Sequence, residues 1–244
     1  MSAINPESTI GQLVAERPAR SRVFESLGID YCCGGKRPLS EICREKKLDV
    51  KTVSGLLEKS DQTPTEPGRD WLASSLGDLV DHIESTHHAY LKQELPRLRW
   101  LVQRIATVHG ERHPNLLKVH DIFGPFADEM ESHMAQEERE LFPAIRRLET
   151  GAGADPTLAD SIPALEHEHD HAGRDLALFR ELTDNYLPPD DACNTYRATL
   201  EGLAELERDM HRHVHRENNI LFPRAAAKAR ALPGAADAGC CCST

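Results

Sequence analysis

Apolar residues recur at intervals of three and four along most of the chain, the period of a helix with one buried face. Residues 1–59 carry this pattern in short pieces. Ser8 to Val14 opens the first, and Pro18 to Leu27 is a second with proline at its start. Gly34-Gly35 breaks the pattern after Cys33. Pro38 to Lys47 and Asp49 to Lys59 come next, the last with Val50, Val53, Leu56 and Leu57 at helical spacing. Residues 60–70 are rich in turn formers and breakers and read as a linker. From Trp71 the segments lengthen. The pattern predicts helices over about Leu76–Val108, with a bend at Pro96, and over about Asn115–Leu148, where Gly124-Pro125 marks a kink or a later start. A third helix is expected from Ser161, as N-cap before Pro163, to about Asn185, and a fourth from about Ala192 to Ala231. No segment alternates as a strand does. The expected class is all-α: a small helical N-terminal domain (1–59), a linker (60–70), an up-and-down four-helix bundle (71–232) and a flexible tail (233–244).

Composition narrows the function. The 244 residues are 39% hydrophobic and carry a formal charge of −11. Mean hydropathy is −0.51. Residues 1–60 hold 10 basic and 8 acidic side chains, so the acidic excess lies downstream. Such a surface repels phosphate backbones, so nucleic acid is not an expected partner. No run approaches the roughly 20 apolar residues of a membrane span, and the first residues do not read as an export signal. Seven cysteines, Cys32, Cys33, Cys43, Cys193, Cys240, Cys241 and Cys242, form adjacent sets that suit a disulfide framework poorly. A reducing cytoplasm is the expected compartment. Cys43 and Cys193 read as ordinary small apolar residues.

The candidate chemistry lies in a repeat. His133-Met-Ala-Gln-Glu137 is followed by Leu141-Phe142-Pro143, and His213-Val-His-Arg-Glu217 by Leu221-Phe222-Pro223. His88 precedes the first pair and His169 the second at nearly equal distance. Residues four apart on a helix lie about 40° apart in azimuth and about 6 Å apart in rise, so His and Glu can face one metal. Four imidazoles and two carboxylates make a dinuclear site in which carboxylates can bridge. The ligand set suits iron or manganese, and its type alone admits zinc. A lone His-x3-Glu is usually a solvated pair; the repetition is what lifts this one. A rival set, Glu84-x-x-His87 and Glu166-x-x-His169, discards the repeat and ranks second. His87 then reads as a surface residue or one behind the ligands. His167, His171, His211 and His215 read as solvated. Glu129, one turn before His133, and Glu168, beside His169, are equally readable as surface acids or as residues behind the ligands or on an access path.

Three stretches carry a resemblance: Asp30-Tyr-Cys-Cys-Gly-Gly-Lys36, Ser132-His-Met-Ala-Gln-Glu-Glu138 with its Leu-Phe-Pro, and Glu217-Asn-Asn-Ile-Leu-Phe-Pro-Arg224. Over roughly residues 8 to 228 the chain resembles the repair-of-iron-centres family, which joins a cysteine-bearing domain to a hemerythrin-like bundle. The resemblance implies two non-haem iron ions held by His88, His133, Glu137, His169, His213 and Glu217, with Glu137 and Glu217 bridging. It implies repair of iron–sulfur clusters damaged by nitric oxide or peroxide, by iron donation, with damaged iron–sulfur proteins as partners, and it leaves room for a homodimer. No catalytic residue is assigned. Spacing alone favours Cys32 and Cys33 as helix-end cysteines, whereas the family motif makes them candidates for a thiol relay. Two other readings stand beside repair: a hemerythrin-like carrier or sensor of O2 or NO, and a reductase of NO. The terminal Cys240, Cys241 and Cys242 fall outside the resemblance and receive no role.

Overall fold

The computed structural model describes residues 4–62, 70–151 and 158–231. The expected tail, with Cys240 to Cys242, and residues 63–69 of the linker lie outside them. The described residues are helical, with an isolated antiparallel bridge between Thr9 and Pro38 as the extended pairing among them. Among them, no helix is long and apolar enough to cross a membrane. The chain divides into two compact units, one of Val80–Met210 and one of Met1–Leu79 with His211–Thr244.

The Val80–Met210 unit holds α6 (Ala89–His109), α7 (Asn115–Gln136), α8 (Phe142–Thr150), α9 (Leu158–Leu182) and the part of α10 (Asn194–Arg216) that ends at Met210. Helix α6 buries Leu91, Leu95, Leu98, Val102 and Ile105 along one face. Helix α7 answers with Leu116, Val119, Phe123, Phe126 and Met130, and α9 with Ile162, Leu165, Ala172, Leu176 and Phe179. Helix α6 packs on α7 and α7 on α9. The rings of Phe123, Phe126 and Phe179 meet at 5.6–6.0 Å. Arg180 pairs with Glu207 through two hydrogen bonds, joining α9 to α10. A Cβ on Gly202 would come within 2.7 Å of Leu98, so α10 approaches α6 closely. Four helices thus surround one core.

The structure keeps the start at Asn115, without the alternative start at Gly124-Pro125, and revises one expected boundary, that at Ser161. Helix α7 runs unbroken through Gly124 and Pro125. The burial of its stripe offsets the roughly 3 kcal/mol that an internal proline costs. Helix α9 begins at Leu158, so Ser161 is not an N-cap: its hydroxyl donates to the Leu158 carbonyl.

The other unit contains α1 (Ile10–Glu16), α2 (Ser21–Ser26), α3 (Leu39–Glu45), α4 (Val50–Ser60) and, from the C-terminal part, α11 (Phe222–Ala231). Helix α5 (Leu76–His82) runs across the division between the units. Thr9 caps α1 in a reciprocal box with Gln12, and Asp49 caps α4 through Thr52 N–H. Ile10, Leu13, Phe24, Leu39, Val53 and Leu57 form the core here.

Three turns depart from α-helical geometry into the wider π form: Ile83–His88, Glu137–Leu141 and Glu217–Leu221. In the last two, Phe142 and Phe222 N–H donate five residues back, to the carbonyls of Glu137 and Glu217. The Leu-Phe-Pro trailer explains them. Pro143 and Pro223 lack an N–H, and their rings crowd the carbonyl four residues back, which a one-residue bulge relieves. No such proline comes soon after the first turn.

Candidate metal centre

Each predicted ligand lies at or beside a π turn or in the apolar stripe of a helix. His88 closes the first π turn and Glu137 opens the second. His133 continues the buried face of α7, and His169 that of α9. Within the Val80–Met210 unit, His133, Glu137 and His169 offer ligand atoms within 4.8 Å of one another. His133 Nε2 lies 2.8 Å from His169 Nε2 and 3.4 Å from Glu137. His88 Nε2 lies 3.3 Å from the other Glu137 oxygen. In the other unit, His213 Nε2 lies 3.0 Å from Glu217, which opens the third π turn. Glu137 and Glu217 are 0% exposed, and His88, His133, His169 and His213 are buried. Ionisable groups are buried this fully where a cation or hydrogen bonds compensate them.

Two imidazoles are oriented from behind. His88 Nδ1 donates to Glu138 at 2.8 Å, and His133 Nδ1 donates to Glu168 at 2.6 Å. Each bond fixes the ring and turns Nε2 toward Glu137, the usual carboxylate–histidine–metal arrangement. Burial works against the Glu138 carboxylate. Hydrogen bonds from Lys92, at 2.6 and 2.7 Å, and from His88 outweigh it and hold its pKa below the usual range. Glu168 also lines a cavity of about 310 Å³ with Glu129, His133, His167 and His171. There Glu129 accepts a hydrogen bond from His171 at 2.8 Å.

The rival ligand set fares worse. Glu84 is ion-paired with Arg146 at 2.7 Å, and His87 is buried against Asp209, its Nδ1 2.9 and 3.0 Å from the two oxygens. His215, expected in solvent, is buried: its Nδ1 donates to the Tyr31 carbonyl at 3.2 Å. Burial pushes its pKa down to about 4.

Cys32 and Cys33 sit where the chain enters a short turn, Cys33–Lys36. Asp30 organises it. One carboxylate oxygen accepts from the N–H groups of Cys32 (2.8 Å) and Cys33 (3.1 Å), the other from Gly34 N–H (2.9 Å). The two sulfurs are 3.9 Å apart, and Asp30, Cys32 and Cys33 could together hold a metal ion. Cys32 is buried, and its pKa is pushed well up by its hydrogen bond with Cys33, by burial and by nearby Asp30. Cys33 is half-buried. The same unit ties this loop to the third π turn. Asn219 Nδ2 donates to the Cys32 carbonyl at 2.9 Å. A Cβ on Gly11 or Gly35 would lie 2.0 or 2.3 Å from Asn219 Oδ1, so both positions require glycine. Asp30 and Asn219 lie inside the quoted motifs and Glu138 beside a ligand; Asp209 and Lys92 carry no local signal.

Comparison with known proteins agrees with this geometry. Residues 78–225 match the Hemerythrin family, described as the Hemerythrin HHE cation binding domain, and residues 6–61 match ScdA_N, a domain of unknown function (DUF542). The iron-sulfur cluster repair protein YtfE of Pectobacterium atrosepticum is 36% identical over 219 residues, 90% of this chain and 96% of that protein. The repair protein ScdA of Staphylococcus haemolyticus is 35% identical over 221 residues, covering 90% and 98%. YtfE of Escherichia coli O157:H7 is 35% identical over 222 residues, covering 91% and 97%. The chain belongs to the repair-of-iron-centres family. Its hemerythrin-like region contains His and Glu clusters suited to a cation, and imidazole and carboxylate donors without thiolate fit iron.

Proposed function

We propose that this protein repairs iron–sulfur clusters damaged by nitrosative or oxidative stress, and that it does so by donating iron from a carboxylate-bridged di-iron centre. The observation that carries the reading is the buried cluster of His133, Glu137 and His169, whose ligand atoms lie within 4.8 Å of one another, with His88 3.3 Å from the other Glu137 oxygen. The proposed ligands are these four together with His213 and Glu217, themselves 3.0 Å apart, and Glu137 and Glu217 would bridge. Iron in such a site supplies ferrous–ferric redox chemistry and coordination positions open to exchange.

The chain's own residues do the rest. Glu138 and Glu168 hold the imidazoles in register and keep Nδ1 protonated. Glu129 and Glu168 line the cavity beside His133, where carboxylates and the imidazoles of His167 and His171 give a departing cation successive partners. Cys32 and Cys33 supply soft donors to pass or receive metal, with the more accessible Cys33 acting first. The partners are damaged iron–sulfur proteins, and adjacent thiols suit a reducing cytoplasm. The family matches at 6–61 and 78–225 support a cysteine-bearing domain followed by a hemerythrin-like one.

The test is anaerobic. Iron-loaded, reduced protein is mixed with an NO-damaged iron–sulfur enzyme without added iron, beside a His133→Ala/His213→Ala variant and free iron at equal concentration. Recovery confined to the intact protein supports the reading. Recovery no greater than with free iron removes donation, and gas binding or NO turnover then leads.

A further inference from the structure

We propose that Cys193 and His109 form a nucleophilic thiol site, independent of Cys32 and Cys33, that undergoes exchange with small disulfides. Cys193 Sγ lies 3.2 Å from His109 Nε2, within reach of proton transfer. The two arrive from distant parts of the chain: His109 ends α6, and Cys193 directly precedes α10. Both belong to the Val80–Met210 unit. Of the described cysteines Cys32, Cys33, Cys43 and Cys193, the last is the exposed one, contrary to its reading as a small apolar residue.

His109 is poorly explained as a core residue. It is 4% exposed, and its Nδ1 is buried with no hydrogen-bond partner among the described residues. The hydrogen bond that its ring does make is to the thiol. A buried polar atom left in this state asks for a reason beyond packing. Tyr196 packs against the ring at a centroid distance of 5.3 Å and shelters it. The base is therefore shielded while Cys193 is an exposed residue, within reach of an electrophile.

The backbone and the neighbouring side chains set the surroundings of the sulfur. The Cys193 carbonyl accepts from Arg197 N–H at 3.0 Å, which places Cys193 at the N-cap of the 23-residue α10, beside the unpaired N–H groups of its first turn. Asp191 is the nearest acid in sequence, and His113 (3.0 Å) and Arg112 (3.2 Å) are paired with it. Arg197 turns back over the loop, its Nε donating to the Ala192 carbonyl at 3.2 Å.

The step balances as a thiol–disulfide exchange. Cys193 Sγ attacks one sulfur of a disulfide RSSR while His109 Nε2 takes the thiol proton. A new S–S bond forms, the old one breaks, and the departing RS⁻ receives that proton. Cys193 is oxidised, and half of the disulfide is reduced. The product is a mixed disulfide on Cys193.

The experiment uses the full chain and glutathione disulfide at neutral pH, with the Cys193 peptide followed by mass spectrometry over time. Folded protein is expected to form the mixed disulfide at Cys193 at least about tenfold faster than the same chain unfolded in guanidinium chloride. His109→Gln retains a hydrogen-bonding group near the Nε2 position without its basicity. It is expected to slow the reaction by at least about tenfold while keeping the wild-type melting temperature. Equal rates in the folded and unfolded chain, a comparison that needs no variant, overturn the proposal. So does an unchanged rate in a folded His109→Gln protein.

Discussion

At the residue scale, the two carboxylates behind the ligands differ in how they are held. Glu138 is shared between His88 and Lys92, whereas Glu168 reaches His133 from the rim of a cavity. Losing such a partner typically lowers metal affinity 10- to 100-fold. Glu168→Gln and Glu138→Gln are expected to weaken iron binding by that factor with little loss of helix, as read by chelator competition and circular dichroism. Unchanged affinity in both would remove the orienting role. The cysteines give a second outcome at this scale. With Cys32 buried and held as a thiol while Cys33 is half-buried, N-ethylmaleimide near pH 7 should modify Cys33 before Cys32. Cys32 should react only at higher pH, since the thiolate is the nucleophile. Peptide mapping that found Cys32 modified first would contradict this. Of the proposed ligands, His133 and His213 stand out in the sequence because the His-x3-Glu repeat is a local signal, and His88 and His169 because each precedes one pair at nearly equal distance. Glu138 does not, because its contact with His88 spans 50 residues and depends on packing. His215 was misread for the same reason: its charged neighbours suggested solvent, while the Tyr31 carbonyl 184 residues away holds it inside.

At the scale of elements, helical period gave the long helices to within a few residues and could not give the π turns. A π turn inserts one residue, so the apolar stripe before and after it still reads as a helix. The prolines of the two Leu-Phe-Pro trailers were the available clue. Pro143→Ala and Pro223→Ala together restore the missing N–H groups and remove the steric reason for the bulges. The double variant is expected to keep or raise helical content and yet bind less iron per chain, because closing each bulge rotates the upstream helix by about 100° relative to the downstream one. Full iron stoichiometry in that variant would show that the prolines do not set the ligand register. Asn219 offers a separate check. Gly35→Ala should destabilise by about 1–3 kcal/mol through overpacking against the Asn219 side chain, read from denaturant midpoints. Adding Asn219→Ala should return part of that loss, because the clash vanishes along with the hydrogen bond to Cys32. Equal destabilisation with and without Asn219 would place the strain elsewhere.

At the scale of the whole molecule, the proposed centre sets stability as well as function. Buried carboxylates at Glu137 and Glu217 are costly charges unless a cation or a proton neutralises them. A ligand that binds only the folded chain at a hundredfold excess over its Kd stabilises it by about 2.7 kcal/mol. For a chain of this size, that corresponds to roughly 5–10 °C in melting temperature. Ferrous iron added anaerobically to chelated protein should therefore raise the melting temperature by about that amount. Glu137→Gln/Glu217→Gln separates this effect from general packing. The amides nearly match the carboxylates in volume and carry no charge, so the iron-free variant should melt at or above the iron-free wild type. It should also lose most of the iron-dependent rise. A variant that still gained the full rise would place the stabilising iron outside these two carboxylates, whereas a wild type indifferent to iron would leave the buried acids compensated by hydrogen bonds alone.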